Sequence, residues 1–285
     1  MNEIELTAGT IRYRDTGEGP PIVFVHGLLV DGTLWRKVVP PLESRFRCIV
    51  PDLPLGSHTI PMKPDADLSP PGVAHLIAEF VEALDLRDVT LVANDSGGAL
   101  TQILVASGRT ERIGRIVLTP CDSFDNFFPP LFRPLQKLAK APGGLRAALD
   151  PLRIRRLRRL PMAFGWLTKR PVPDDVTDGW LHACHTDPAV RRDTAKFVAS
   201  VDSRHTLAAA EKLHTFPRPV LLAWAPEDRF FPLEHARKLA GLFPDARIEE
   251  IPDSYTFVSE DQPERVAALV GDFAARAAEQ VAGAR

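Results

Sequence analysis

The sequence predicts an α/β fold, a mainly parallel, doubly wound sheet with a helical insertion. Three observations predict it. From Pro21 to Leu118, short apolar runs alternate with helical patterns, as parallel strands joined by helical crossovers require. From about Asp122 to Thr215 that alternation stops; the chain there is Pro-punctuated and helical in pattern, and alternation resumes at Val220. Between Leu91 and Gly98 the chain passes abruptly from a strand pattern into a helix pattern.

Each element follows from local chemistry. Ile4–Leu6 and Ile11–Tyr13 alternate apolar and polar residues around Ala8-Gly9-Thr10, which predicts an edge hairpin. Pro21–Val25 is continuously apolar and predicts a strand buried on both faces, ending at His26-Gly27. Leu34–Leu42 has helical spacing, and Cys48–Val50 predicts a second buried strand. Gly56–Pro71 is rich in Pro, Asp and Ser and predicts a loop. Val73, Leu76, Ile77, Phe80 and Leu84 share one helical face. Strands follow at Val89–Ala93 and Ile113–Leu118. After the insertion come a strand at Val220–Trp224, a helix at Leu233–Leu242, a strand at Arg247–Ile251 and a helix from Pro263 to Ala278. The expected organisation is a core of residues 1–121 and 216–285 with a helical cap over 122–215.

Composition excludes several classes. The chain is 45% apolar and 25% charged with net charge −2, so nothing draws it globally to nucleic acid or to an anionic surface. No apolar run approaches the ~20 residues that span a bilayer, so no stable membrane insertion is expected. Met1-Asn2-Glu3-Ile4-Glu5 does not read as a secretion signal. Cys48, Cys121 and Cys184 are too few and scattered for a disulfide frame or zinc motif. A cytoplasmic protein without metal or cofactor is expected, a monomer or homodimer acting on a small molecule. The run Arg153–Leu160 carries five arginines and is expected to be a solvated face of the insertion.

The turn after Val89–Ala93 is the candidate reactive site. A strand-to-helix elbow that presents a nucleophile needs small residues two before and two after it. With Asp95 at the apex these are Ala93 and Gly97; with Ser96 they are Asn94 and Gly98. Asn fits the crowded position poorly, which favours Asp95. The string Asn-Asp-Ser-Gly-Gly also resembles the serine loop of chymotrypsin-like proteases, but the helix pattern after Gly98 argues against an all-β barrel.

Four features together make the chain resemble the α/β-hydrolase fold family. They are His26-Gly27 after a strand, the elbow at Asp95, Pro226-Glu227-Asp228 after a late strand, and Glu260-Asp261-Gln262-Pro263-Glu264 opening the last helix. An Asp at the elbow resembles the haloalkane dehalogenases, haloacetate dehalogenases and epoxide hydrolases. The resemblance implies that Asp95 attacks carbon and forms an ester that an activated water cleaves. It implies oxyanion donors at the N–H groups of Leu28 and Ser96, a loop-orienting His26, and Asp228 as the acid supporting a base. Asp122 or Asp125 is the alternative acid. Gly27, Asn94, Trp166, Trp180 and Tyr255 are expected with His26 around the pocket, and Phe127, Phe128 and Phe132 in an apolar roof.

The sequence departs from that pattern at the base. The position expected to hold His is Thr256, within Asp253–Ser259, and a threonine takes no proton at neutral pH. His58, in the loop after Cys48–Val50, is the candidate substitute. Ser96 also stands where haloalkane dehalogenases usually place Trp, and no tyrosine falls in the insertion, where epoxide hydrolases carry theirs. The leading expectation is hydrolysis through Asp95. The alternatives are acid–base chemistry at Asp95 without hydrolysis (isomerase, cyclase, lyase or decarboxylase), a non-catalytic binding protein, and an esterase using Ser96.

Overall fold

The computed structural model describes residues 1–283, with side chains placed through Ala275. Eight strands form one sheet: β1 (Asn2–Leu6), β2 (Gly9–Thr16), β3 (Pro21–Val25), β4 (Arg47–Pro51), β5 (Val89–Asp95), β6 (Ile113–Cys121), β7 (Val220–Trp224) and β8 (Ala246–Glu250). Their order across the sheet is β1-β2-β4-β3-β5-β6-β7-β8. Strand β2 runs antiparallel to both neighbours and every other pair is parallel. Chain order reverses direction between β3 and β5, which pair from Ile22–Thr90 to Val25–Ala93. A crevice opens at the carboxyl ends of strands at such a reversal. Asp95 and the His26–Leu28 loop stand there.

The central strands read as apolar runs because helices cover both faces. Helix α1 (Pro70–Ala83) turns Val73, Leu76, Ile77 and Phe80 inward. It opens on Pro70-Pro71, where missing N–H groups are harmless, and Ser69 Oγ accepts from Gly72 N–H at 3.3 Å. Helix α2 (Ser96–Ser107) is buried from Ser96 through Val105. The expected helix at Leu34–Leu42 is instead a 3-10 turn (Gly32–Trp35) followed by successive turns. Pro40 and Pro41 supply no N–H donors and halt any helix there.

Between β6 and β7 lie α3 (Arg133–Ala139), α4 (Gly144–Leu149), 3-10 turns at Asp150–Arg153 and Arg155–Arg159, α5 (Asp174–Thr186), α6 (Pro188–Ser200) and α7 (Ser203–Ala210). After β7 come α8 (Leu233–Leu242), the short α9 (Val258–Asp261) and α10 (Pro263–Gly283). The arginine run is not one solvated face. Arg158 turns inward and its guanidinium reaches Leu152 O, Thr177 Oγ1 and Asp178. The three cysteines are buried and unpaired. No helix among the described residues is long and apolar enough to cross a membrane.

Asp261 ties the insertion to the last helices. Its carboxylate accepts from the N–H groups of Lys169, Arg170 and Tyr255 at 2.9–3.0 Å. Beside it, buried Glu260 pairs with Arg36 and with Lys37 Nζ, the latter at 2.9 Å.

Candidate active site

The strained residue of the elbow is Asp95, at φ 54° and ψ −131°. Such a conformation is rare outside glycine and is held only by close packing. The packing here is tight: a Cβ at Gly97 would lie 2.6 Å from His26 O, and one at Gly98 2.3 Å from Cys121 Cβ. A Cβ at Gly27 would lie 2.1 Å from Asp95 Oδ2 itself. These glycines let the β3 loop and the start of α2 close around one carboxylate.

Leu28 N–H donates to Asp95 Oδ2 at 3.2 Å. Burial pushes the Asp95 carboxyl up to about 6, while the N–H groups of Ser96 and Leu28 pull it back toward the ordinary range. Ser96 is 2% exposed. Its hydroxyl donates to Asp122 Oδ2 at 3.2 Å. Asp122 follows β6 directly and is held by Gln102 Nε2, which donates to its carbonyl at 2.8 Å. Burial and the Asp95 charge push the Asp122 carboxyl well above the usual carboxylate range. Its Oδ1 has no partner.

Asp95 and Asp122 line one cavity of about 370 Å³ between the sheet and the insertion. Every other lining side chain is apolar, among them Leu28, Phe128, Phe132, Phe164 and Leu167. Leu138, Leu160 and Met162 continue that lining to the exposed surface. No histidine, lysine, arginine or tyrosine lines the cavity among the described residues.

Asp228 lies outside that lining. Its Oδ1 accepts from Phe230 and Phe231 N–H at 2.7 Å each. Thr256, fully buried, is its side-chain neighbour, yet neither Asp228 Oδ2 nor Thr256 Oγ1 closes a hydrogen bond. Burial pushes the Asp228 carboxyl up to about 7, against the pull of the Phe231 and Phe230 N–H groups. Asn94 Nδ2 donates to Thr256 O at 2.8 Å, and Phe257 N–H donates to Leu167 O at 2.7 Å. The turn is thus sealed from below by β5 and from above by the insertion.

The structure does not bring His58 to Asp95. His58 is buried with Nε2 3.4 Å from Asp193 Oδ2 on α6, because that carboxylate, also bonded to Met62 N–H, anchors the loop. His26 is a scaffold: it donates through Nδ1 to Gly27 O and accepts Leu53 N–H at Nε2, both at 2.8 Å. Burial lowers its pKa to about 4, so it stays neutral.

None of the six residues expected around the pocket lines it. Besides His26, Gly27 underlies Asp95 and Asn94 is locked to Thr119, Pro120 and Thr256. Trp180 is fully buried, because its indole N–H reaches Thr33 Oγ1 at 2.7 Å and its ring packs on Phe164 and Phe257. Trp166 and Tyr255 flank the Arg229 guanidinium instead. Of the expected roof, Phe128 and Phe132 line the cavity and Phe127 does not. Asp125 is exposed. The lining that sequence reasoning missed is the leucine series from Leu131 to Leu167, and the signal for it was the density of leucine in the insertion.

Residues 20–263 match the family described as alpha/beta hydrolase fold. The chain is 29% identical over 274 residues to haloalkane dehalogenase 2 of Mycobacterium tuberculosis (strain ATCC 25618 / H37Rv), covering 92% of this chain and 90% of that protein. Haloalkane dehalogenase DbeA from Bradyrhizobium elkani USDA94 superposes with a TM-score of 0.80 at 20% identity, over 98% of each chain. An alpha/beta hydrolase fold protein from Burkholderia ambifaria superposes with a TM-score of 0.79 at 25% identity, over 95% of this chain and 97% of that one. With the sheet order, the elbow and the family match agreeing, the chain belongs to the alpha/beta hydrolase fold family, with haloalkane dehalogenases among its relatives.

Proposed function

We propose that the protein is an enzyme that hydrolyses a small, mostly apolar molecule through a covalent ester on Asp95. The observation that carries this reading is the strained Asp95 carboxylate facing an apolar cavity of about 370 Å³. A carboxylate is a competent nucleophile toward carbon bearing a leaving group or a strained oxygen. Water exclusion by the leucine-rich lining strengthens it by removing its hydration. The helical segment 122–215 acts as the cap that provides this exclusion. In the second step the N–H groups of Leu28 and Ser96 bind the oxyanion formed at the Asp95 carbonyl carbon, where their dipoles already converge.

The test is intact-mass spectrometry after incubation with apolar haloalkanes, epoxides and esters, followed by peptide mapping. Mass gained on Asp95, and its loss in Asp95→Asn, supports the reading. Labelling of Ser96 by a phosphonate probe would replace it with an esterase.

A second reading keeps Asp95 as an acid or base and drops hydrolysis. It is favoured by one observation, that no histidine lines the cavity among the described residues. It expects product made without incorporation of solvent oxygen and no adduct at any time.

A further inference from the structure

The cavity holds two carboxylates, and the Asp95 ester uses only one of them. Asp122 is 2% exposed, and its two oxygens have different surroundings. Oδ2 accepts the Ser96 hydroxyl, and Oδ1 has no protein partner. An unpartnered carboxyl oxygen in an apolar enclosure is costly unless it carries a proton or meets a ligand. Two carboxylates in one low-dielectric enclosure do not both ionise, so they hold one proton between them. Asp95 has backbone N–H donors, which favour its charge. Asp122 has one hydroxyl donor and the Asp95 charge against it, so the proton resides on Asp122.

That proton selects among leaving groups. A departing halide leaves as a stable anion without a proton, and no lining side chain supplies the N–H or cationic partner that would speed it. An epoxide oxygen needs a proton as its C–O bond breaks, and Asp122 has one to give.

Resting on the reading that Asp95 is the attacking carboxylate, we infer that Asp122 is the second catalytic residue and that the substrate is an apolar epoxide. In the first step an Asp95 oxygen bonds to an epoxide carbon, that carbon's bond to the ring oxygen breaks, and the ring oxygen takes the Asp122 proton. The products are a hydroxyalkyl ester on Asp95 and an Asp122 carboxylate. Esterification removes the Asp95 charge, so the Asp122 carboxylate no longer faces a like charge. In the second step Asp122 takes a proton from water as the hydroxide bonds to the Asp95 carbonyl carbon. The tetrahedral intermediate expels the diol as an alkoxide, which takes the proton of the released Asp95 carboxylic acid. Asp95 ends ionised and Asp122 protonated, and one water has been consumed. Asp122 thereby serves as the acid of ring opening and the base of ester cleavage, the two functions for which no tyrosine or histidine lines the cavity among the described residues.

The test compares wild type with Asp122→Asn on hexene oxide and on iodohexane. The Asn carbonyl keeps the acceptor for Ser96. Wild type is expected to form the diol, and the variant to lose about 100-fold or more of that rate, the usual loss for a general acid. Iodohexane needs no proton to react, so the variant should still alkylate Asp95 and then retain the hexyl ester by intact mass. That alkylation also reports a folded site. Epoxide hydrolysis by Asp122→Asn within about threefold of wild type overturns the role of Asp122. Wild type turning over iodohexane but not hexene oxide overturns the substrate class. Neither adduct nor product in either protein, with either compound, removes the Asp95 reading itself and this inference with it.

Discussion

The Ser96 hydroxyl donates to Asp122 Oδ2 at 3.2 Å, which joins the residue after the elbow to the residue after β6. That bond commits the hydroxyl to a neighbouring carboxyl and leaves the serine 2% exposed. Ser96→Ala is therefore expected to retain activity. One hydrogen bond to a carboxyl group is worth about 1–3 kcal/mol, and only part of that differs between ground and transition states, so kcat/KM should fall by about tenfold at most. Loss of all activity, with Asp95→Asn still active, would transfer the nucleophile to Ser96.

On the proposed mechanism, the Asp95–Asp122 pair is expected to make the rate depend on pH at both limbs. Attack needs Asp95 ionised, and its carboxyl is pushed up to about 6. Ring opening needs Asp122 protonated, and its carboxyl lies well above the ordinary range. The pH profile of kcat/KM on an epoxide should be a bell rising through about pH 6 and falling in alkali, both limbs belonging to the pair. Asp122→Asn should erase the alkaline limb. A profile flat from about pH 5 to pH 9 would exclude the shared proton.

The fold and the elbow were legible in the sequence, whereas the lining of the cavity depends on packing. Continuous apolar runs identified the strands buried on both faces, and small residues around Asp95 marked the elbow. The pairing of His58 with Asp193 was not legible, because α6 returns beneath the loop from far along the chain. Trp180 reads as a pocket aromatic from composition but becomes core once its indole N–H finds Thr33. Asp122 was visible only as a carboxylate after a strand. Its place in the cavity depends on the sheet order that sets β6 beside β5.

Asp228 weakens the fold as pH rises. Its folded carboxyl sits at about 7 against an ordinary 3.8. A raised value favours the protonated form in the fold. Its contribution is therefore full below the unfolded value and lost as pH rises through the folded one, a window of about pH 4 to pH 7. In Asp228→Asn the oxygen can keep both backbone bonds, while the amide nitrogen, in place of unpartnered Oδ2, can donate to Thr256 Oγ1. The variant should gain Tm relative to wild type at about pH 8, and that gain should shrink by about pH 4. An equal Tm difference at both pH values would remove the linkage.

Asp261 should matter more for stability than its distance from the cavity suggests. Alanine there leaves the N–H groups of Lys169, Arg170 and Tyr255 without their shared acceptor. An unsatisfied donor cut off from water costs about 1–3 kcal/mol, and these three bonds are part-buried. Asp261→Ala is expected to lose about 2 kcal/mol or more in denaturant unfolding, and to raise KM by loosening the insertion. A loss under about 1 kcal/mol would mean water replaces the carboxylate freely.

Thr256→His tests whether a general base can be placed beside Asp228. The free Asp228 Oδ2 is available to accept an imidazole N–H. The obstacle is volume, since Thr256 is fully buried and Phe257 is bonded to Leu167 overhead. Overpacking of this kind costs about 1–3 kcal/mol, so the variant should unfold earlier than wild type. Its chemical effect is clearest in combination with Asp122→Asn, where the hexyl ester on Asp95 is expected to persist. If the new imidazole reaches the cavity, hexanol release from that ester should rise by about 10²–10⁴, the worth of a positioned general base. Persistence of the ester in the folded double variant would show that the insertion seals position 256 from the cavity. Asp122 would then remain the base placed to cleave the ester.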